Sequence, residues 1–216
     1  HGDQAAMSLR HAMAALGTAL VAACSSAPPA PDWQVSANSQ MKLALSAYLT
    51  GDNRVADLEL ARVRGDVART GRPDLAARVE LVRCAAQVAS LDYTRCSAFE
   101  RFEVDAAAAE RAYAAMLYGA WPDAQAFTRL PPHHQALLSA SKPAEGLSQM
   151  ADPLGRLVAA GVLFRVGKLT PAEIAVATET ASQQGWRRPL LAWLGVQLAL
   201  AEKAGEQEAM QRIRRG

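Results

Sequence analysis

Residues 152–185 have the sequence DPLGRLVAAGVLFRVGKLTPAEIAVATETASQQG and contain the start and stop signals of two helices. Asp152 and Thr170 each precede a proline, which is the order of an N-cap followed by the first helical residue. Thr170 and Glu173 also form a capping box, in which each side chain accepts a hydrogen bond from the other residue's backbone N–H. The predicted helices cover 153–166 and 171–184.

The same helical pattern continues through the rest of the chain. Apolar residues recur at spacings of three and four, and no segment alternates at the period of two that marks a strand. Three prolines interrupt 121–134, which we expect to form short helices or loops. Further helices are predicted to end at Gly51 and to cover 54–70, 73–90, 97–102, 105–118, 189–204 and 206–214. We therefore predict an all-α fold of antiparallel helical hairpins in residues 34–216.

The segment MSLRHAMAALGTALVAAC, residues 7–24, has the organisation of an export signal. Arg10 and His11 provide a short positive region, and an uncharged apolar run follows. The run is shorter than the roughly 20 residues that a spanning helix needs. Residues 7–23 are therefore predicted to be a signal peptide. Residues 1–6 precede a potential start at Met7, and we expect them to be a translation artefact or a cloning scar.

The end of this signal, Leu20-Val21-Ala22-Ala23-Cys24, resembles the lipobox of bacterial lipoproteins. The resemblance implies that Cys24 is acylated and becomes the first residue after cleavage, and two or three acyl chains anchor a protein stably. Ser25 follows instead of the aspartate associated with inner-membrane retention, which implies the periplasmic face of the outer membrane. Residues 24–33 then form a proline-rich tether. The alternative is an ordinary secretory signal that happens to contain a cysteine.

Cys84 and Cys96 are the cysteines that remain beside Cys24. An exported chain meets an oxidising compartment, where paired thiols commonly form a disulfide. The two positions are nearly symmetric about Ser90, where we expect the bend of a helical hairpin, and facing cysteines on antiparallel helices satisfy disulfide geometry. We predict a Cys84–Cys96 disulfide, with two buried free thiols as the alternative.

Glycines at the ends of several helices are consistent with a repeated unit. The gap from Gly51 to Gly119 is twice the roughly 34-residue tetratricopeptide period, whereas later gaps do not fit. The segments that resemble repeat junctions are Tyr48, Gly51, Asp52, Ala56 and Leu60, and then Leu191, Leu194, Gly195, Leu198, Gly205 and Ala209. The chain thus resembles outer-membrane lipoproteins with degenerate tetratricopeptide-like repeats, which implies a stacked array of hairpins. A compact irregular helical bundle is the alternative.

Composition and motifs argue against several classes of function. The formal charge of +2 indicates no basic surface for nucleic acid. The S-x-x-K pattern of Ser139 and Lys142 lacks the other motifs of penicillin-binding proteins.

His133 and His134 are adjacent, so on a helix they point about 100° apart and do not share a metal. We expect both to be exposed. We expect no metal and no cofactor.

These observations predict a non-enzymatic lipoprotein that acts as a protein-binding scaffold or adaptor in envelope assembly. Its partner would be another envelope protein, and lipid would be its only contact with the membrane. The order of the chain places the predicted partner surface on the C-terminal helices, at Trp186, Arg187, Arg188, Arg212 and Arg215, although Trp186 and Trp193 also fit core packing. The alternative is a cell-wall enzyme, or a regulator of one, whose site forms only in the fold.

Overall fold

Helices make up all the regular structure in the part of the chain that the structure describes. The computed structural model describes the backbone of residues 32–120, 122–139 and 143–215, and their side chains except those of Asp32 and 136–145. Within these ranges there are twelve helices and no strands, so the all-α prediction is confirmed. The predicted signal peptide and Cys24 lie outside the described residues.

The helices follow one another with short connections. They are α1 (Asp32–Thr50), α2 (Asn53–Ala68), α3 (Pro73–Ala89), α4 (Ser97–Glu100), α5 (Ala108–Leu117), α6 (Ala124–Phe127), α7 (Pro132–Ser139), α8 (Pro143–Gln149), α9 (Pro153–Arg165), α10 (Pro171–Gln183), α11 (Arg187–Ala204) and α12 (Gln207–Arg215). The predicted segments correspond to these elements with small differences at their ends. Helix α8 was not predicted.

Local capping signals explain where several helices begin and end. The capping box of Thr170 and Glu173 is present at the start of α10. Gly51 follows α1 with a φ of 93°, and Gly205 follows α11 with a φ of 73°. Glycine adopts this left-handed conformation without the steric cost that a Cβ would impose. These boundaries are therefore determined by short-range chemistry.

The buried face of α2 differs from the face that its apolar spacing predicts. That spacing places Val55, Leu58, Ala61 and Val67 on the inner side, yet Leu58 is 48% exposed and Ala61 is exposed as well. The buried apolar residues are Ala56, Leu60, Val63 and Val67. Helix α2 packs against both α1 and α3, and the positions of these neighbours decide which stripe is covered. The prediction of the inner face was therefore wrong at Leu58 and Ala61.

Helix α9 is the centre of the core. Leu157, Ala160 and Leu163 are fully buried, and the helix packs against α3, α5, α7, α8 and α10. At Gly161 a Cβ atom would lie 2.3 Å from the backbone oxygen of Val88. The backbones of α9 and α3 thus approach each other more closely than any side chain would allow.

Helix α11 contacts both the core and the first helix of the described chain. The indole of Trp193 is fully buried and donates a 3.1 Å hydrogen bond to the carbonyl of Ala89, which supports the core-packing interpretation of this residue. Arg187 Nε donates to the Thr50 carbonyl at 3.0 Å. Arg188 Nε donates to the Tyr48 carbonyl at 2.7 Å. Helices far apart in the sequence are therefore in direct contact.

The predicted disulfide between Cys84 and Cys96 is confirmed, with a Cα–Cα distance of 6.0 Å. Its structural setting differs from the predicted hairpin of two facing helices. Cys84 lies in α3, but Cys96 belongs to the loop that leads into the short helix α4. The bond therefore fastens this loop to the core helix α3, and both cysteines are buried.

Candidate functional site

A cavity of about 430 Å³ opens between α3, α5, α9 and the segment that leads into α7. Most of its wall is apolar, and the apolar residues are Leu81, Val82, Ala85, Ala109, Leu130, Pro131, Leu154, Gly155 and Val158. The polar residues of the wall are Arg78, Glu110, Tyr113, Arg129, His133, His134 and Asp152. This combination of an apolar wall with a few polar groups is typical of ligand-binding cavities.

Asp152 and Gly155 bring polar groups to one wall. The Asp152 side chain caps α9, and its Oδ2 accepts a 2.7 Å hydrogen bond from the backbone N–H of Gly155. A Cβ at Gly155 would lie 3.2 Å from His133 Nε2, so the missing side chain leaves room for the His133 ring. The N-cap of α9 therefore places a carboxylate and an imidazole on the same side of the cavity.

His134 is buried in the wall with no hydrogen-bond partner. It is 1% exposed, and neither of its ring nitrogens is bonded to another described group. The ring packs edge-on against Tyr113, with centroids 5.6 Å apart, and lies 4.3 Å from the His133 ring. Burial, and secondly the neighbouring His133, lowers the pKa of His134 to about 3. The imidazole is therefore uncharged at neutral pH.

The expectation that both histidines are exposed was correct for His133 and wrong for His134. Adjacent residues on a helix point in directions about 100° apart, so α7 can turn only one of them toward the core. The sequence identifies the pair, but it does not show which member faces inward.

Two other groups complete the polar part of the wall. Burial raises the pKa of Tyr113, so its hydroxyl stays protonated. Arg78 and Glu110 join α3 to α5 through an ion pair, with 2.6 Å between Arg78 Nη2 and Glu110 Oε1. The second oxygen of Glu110 is buried and has no partner among the described residues. Glu110 Oε2 and the two His134 ring nitrogens are therefore buried behind the surface of the wall and lack partners among the described residues.

The residues predicted to form the C-terminal partner surface lie away from this cavity. Arg187 and Arg188 attach α11 to α1, and the Arg188 guanidinium lies 4.2 Å from the centroid of the Tyr48 ring. Trp186 is half-buried against the core. Arg212 lines an open groove of about 530 Å³ beside α12, and Arg215 is exposed. A role in partner binding stays a prediction for all five.

The described residues do not bring metal ligands together. Among them, no three His, Cys, Asp or Glu side chains are arranged to hold a metal ion. None of the described helices is both long enough and apolar enough to cross a membrane.

No known protein family, curated protein or solved structure matches this chain. The geometry of the cavity and the pattern of the sequence are therefore the basis for a functional proposal.

Proposed function

We propose that this chain is an exported lipoprotein whose helical domain binds another envelope protein. Acylation at Cys24 holds it on the periplasmic face of the outer membrane. The lipobox-like end of residues 7–24 supports the anchor. The Cys84–Cys96 disulfide supports the location, because structural disulfides persist in oxidising compartments and are rare in reducing ones.

The observation that carries the binding role is the cavity between α3, α5, α7 and α9. Its wall is mainly apolar, and each of its two carboxylates has one oxygen engaged by another group of the chain. Glu110 pairs with Arg78, and Asp152 caps α9 at Gly155. Groups held in this way orient a ligand well but are poorly placed to abstract a proton. An adaptor that takes a segment of its partner into this cavity fits these features.

The contacts between helices help to distinguish a linear repeat array from a compact bundle. In a linear array of repeats, each unit contacts only its neighbours. Here α11 contacts α1, and α9 contacts five helices from different parts of the chain. These contacts favour the compact helical bundle over the tetratricopeptide-like array. In a compact bundle, a cavity that opens between helices is a more suitable docking site than an extended concave surface.

A cell-wall enzyme, or a regulator of one, is the second candidate. The observation in its favour is that His133, Asp152, Glu110 and Tyr113 line one cavity. Such a group of titratable side chains is a common feature of catalytic sites. The reason for preferring the adaptor is that Glu110 is paired with Arg78 and Asp152 caps α9, so each carboxylate already has a structural contact.

Site-specific photocrosslinking in intact cells tests the proposed function. A photoreactive residue replaces Arg129 at the cavity wall, Arg212 at the C-terminal groove, or Glu179, an exposed residue that lines neither. We expect one envelope protein to be captured from position 129 and not from position 179, because only the first lies beside the docking site.

A separate experiment tests the lipid anchor. Cys24→Ala should abolish labelling of the protein by radioactive palmitate.

Each result has a distinct meaning for the proposal. Capture of the same protein only from position 212 would assign binding to the C-terminal surface. Absence of specific capture from both positions 129 and 212 would contradict the adaptor role. Unchanged palmitate labelling of Cys24→Ala would contradict the anchor independently of partner binding.

A further inference from the structure

Two apolar cavities lie next to each other along α3. The first, of about 430 Å³, is the cavity between α3, α5, α9 and the segment before α7. The second, of about 360 Å³, opens between α1, α2 and α3, and its apolar residues are Trp33, Ala37, Met41, Val63, Val67, Leu75, Val79 and Val82. Arg78 and Val82 line both cavities, so the two adjoin at these residues. We call the two cavities together the α3 groove.

The length of the α3 groove matches that of one acyl chain. Leu75 lines the second cavity and Ala85 lines the first, and at 1.5 Å per residue they lie about 15 Å apart along the helix axis. The hydrocarbon core of a bilayer is about 30 Å thick, so the acyl chains of each leaflet span about 15 Å. A compact ligand would fill one cavity, whereas an extended acyl chain reaches both.

The wall of the first cavity offers an occupant few hydrogen bonds. The His134 ring nitrogens and Glu110 Oε2 are buried behind the wall, where no ligand reaches them. The Asp152 carboxylate is held at the start of α9 by the N–H of Gly155. A polar group that left water for this space would lose hydrogen bonds without replacing them, which costs free energy. The part of a ligand that enters the groove is therefore hydrocarbon.

One positive charge beside the first cavity has no counter-charge. The guanidinium of Arg78 is paired with Glu110. In the second cavity, the guanidinium of Arg72 is paired with Asp74. The side chain of Arg129 is exposed and forms no ion pair or hydrogen bond with another described residue. Guanidinium groups bind carboxylates through two parallel hydrogen bonds, so Arg129 favours a ligand whose polar end is anionic.

We propose that the α3 groove binds a fatty acid, with its acyl chain along α3 and its carboxylate at Arg129. The apolar walls supply most of the affinity, since each buried CH₂ contributes about fourfold. The guanidinium determines which end of the ligand stays at the surface. The proposal goes beyond the adaptor role and does not depend on it.

Calorimetric titration of the full chain with octanoate and dodecanoate, each below its micelle concentration, tests the length of the groove. We expect one dodecanoate per chain, bound at least about tenfold more tightly than octanoate, because the longer chain buries more CH₂ groups. Val79 lines only the second cavity, so Val79→Phe should remove most of this difference and change octanoate affinity by less than about twofold. Leu191→Phe, at a position 69% exposed and outside both cavities, is the matched control and should keep the difference.

Circular dichroism checks that each variant folds. If Val79→Phe does not fold, Asn38→Phe replaces it, because Asn38 is an exposed residue of the second cavity. Failure of wild type to bind dodecanoate would overturn the proposal, as would equal affinities for the two acids. Equal losses of both acids in the variant of the second cavity would also overturn it.

Arg129→Gln tests the position of the carboxylate. The variant removes the charge and keeps a polar side chain, so it should weaken dodecanoate by about threefold to fivefold, the effect of an exposed ion pair. Arg54→Gln is the matched control, because Arg54 is exposed and lines neither cavity, and it should leave dodecanoate affinity unchanged. Dodecyltrimethylammonium, a cation with the same chain, should not bind more weakly to Arg129→Gln. Unchanged dodecanoate affinity in Arg129→Gln, or equal losses of the anion and the cation, would overturn the proposal.

The calorimetry and the photocrosslinking have separate consequences. If an envelope protein is captured from position 129 but wild type does not bind dodecanoate, the adaptor role stands and the fatty-acid site is wrong. If dodecanoate binds as expected but no envelope protein is captured from position 129 or 212, the fatty-acid site stands and the adaptor role is wrong.

Discussion

Gly161→Ala is expected to reduce the free energy of unfolding by about 3 kcal/mol, the upper end of the usual cost of overpacking. The new Cβ would lie 2.3 Å from the Val88 backbone oxygen and 2.9 Å from its Cγ1 atom. A backbone atom cannot rotate away as a side chain can, so α9 and α3 must separate. The separation would also disturb the 2.8 Å hydrogen bond that Tyr93 Oη donates to the Gly161 carbonyl. Overpacking of a core costs about 1–3 kcal/mol and sometimes more.

Gly195→Ala is the matched control, because Gly195 is also a glycine inside a helix. A Cβ at this position meets no atom within 4 Å. Alanine favours helix over glycine by about 0.5–1 kcal/mol, so this variant should be slightly more stable than wild type. Urea denaturation measures both changes. Similar small effects from the two substitutions would contradict the close contact between α9 and α3.

Loss of the Cys84–Cys96 disulfide is expected to lower the free energy of unfolding by about 2–4 kcal/mol. Replacing both residues with alanine removes the bond without leaving a single reactive thiol. The unfolded chain gains conformational freedom, and the loop before α4 loses its attachment to α3. The circular dichroism signal of the helices should persist, since the bond fastens a loop and not the centre of the core.

Chemical denaturation with and without a reducing agent measures this effect. Reduction should destabilise wild type by a similar amount and leave the double variant unchanged, which controls for other actions of the reagent. Mass spectrometry of the exported, unreduced protein should show the two cysteines linked. Two alkylatable thiols in that sample would contradict the disulfide and the destabilisation expected from its loss.

The sequence predicts the helices well because their signals are local. An N-cap followed by proline at Asp152 and a left-handed glycine at Gly51 act within one turn of the helix that they bound. The disulfide was predictable because only two cysteines remain after Cys24. Helix α8 has no comparable N-cap before Pro143 in the sequence, and it was missed.

The burial of individual side chains and the composition of the cavity depend on long-range packing, and the sequence does not predict them. Leu58 is exposed because α1 and α3 cover a different face of α2. His134 is buried because α7 turns this residue, and not His133, toward Tyr113. The cavity combines residues from α3, α5, α7 and α9, and no spacing along the chain relates them. Asp152 was identified as a cap, but its place in the cavity wall depends on how α9 packs.

The central claim is that the fold buries His134 uncharged and without a hydrogen-bond partner among the described residues, at a cost in stability. The pKa of His134 is about 3 in the folded chain, against an ordinary value of 6.5. Below about pH 6.5 the unfolded chain therefore binds a proton that the folded chain does not. The free energy of unfolding therefore decreases as the pH falls from about 6.5 toward 3.

The most direct test compares the free energy of unfolding of wild type and His134→Phe at pH 7 and pH 5. Phenylalanine removes an unpartnered polar group and keeps a ring of similar shape, so the variant should be at least as stable as wild type at pH 7. Between pH 7 and pH 5, wild type should lose about 2 kcal/mol more than the variant. His133→Gln alters only the exposed neighbour. Between pH 7 and pH 5 its free energy of unfolding should therefore still fall by most of this 2 kcal/mol more than that of His134→Phe. A His134→Phe variant less stable than wild type by more than about 1 kcal/mol at pH 7 would show that His134 serves folding, and would contradict the account.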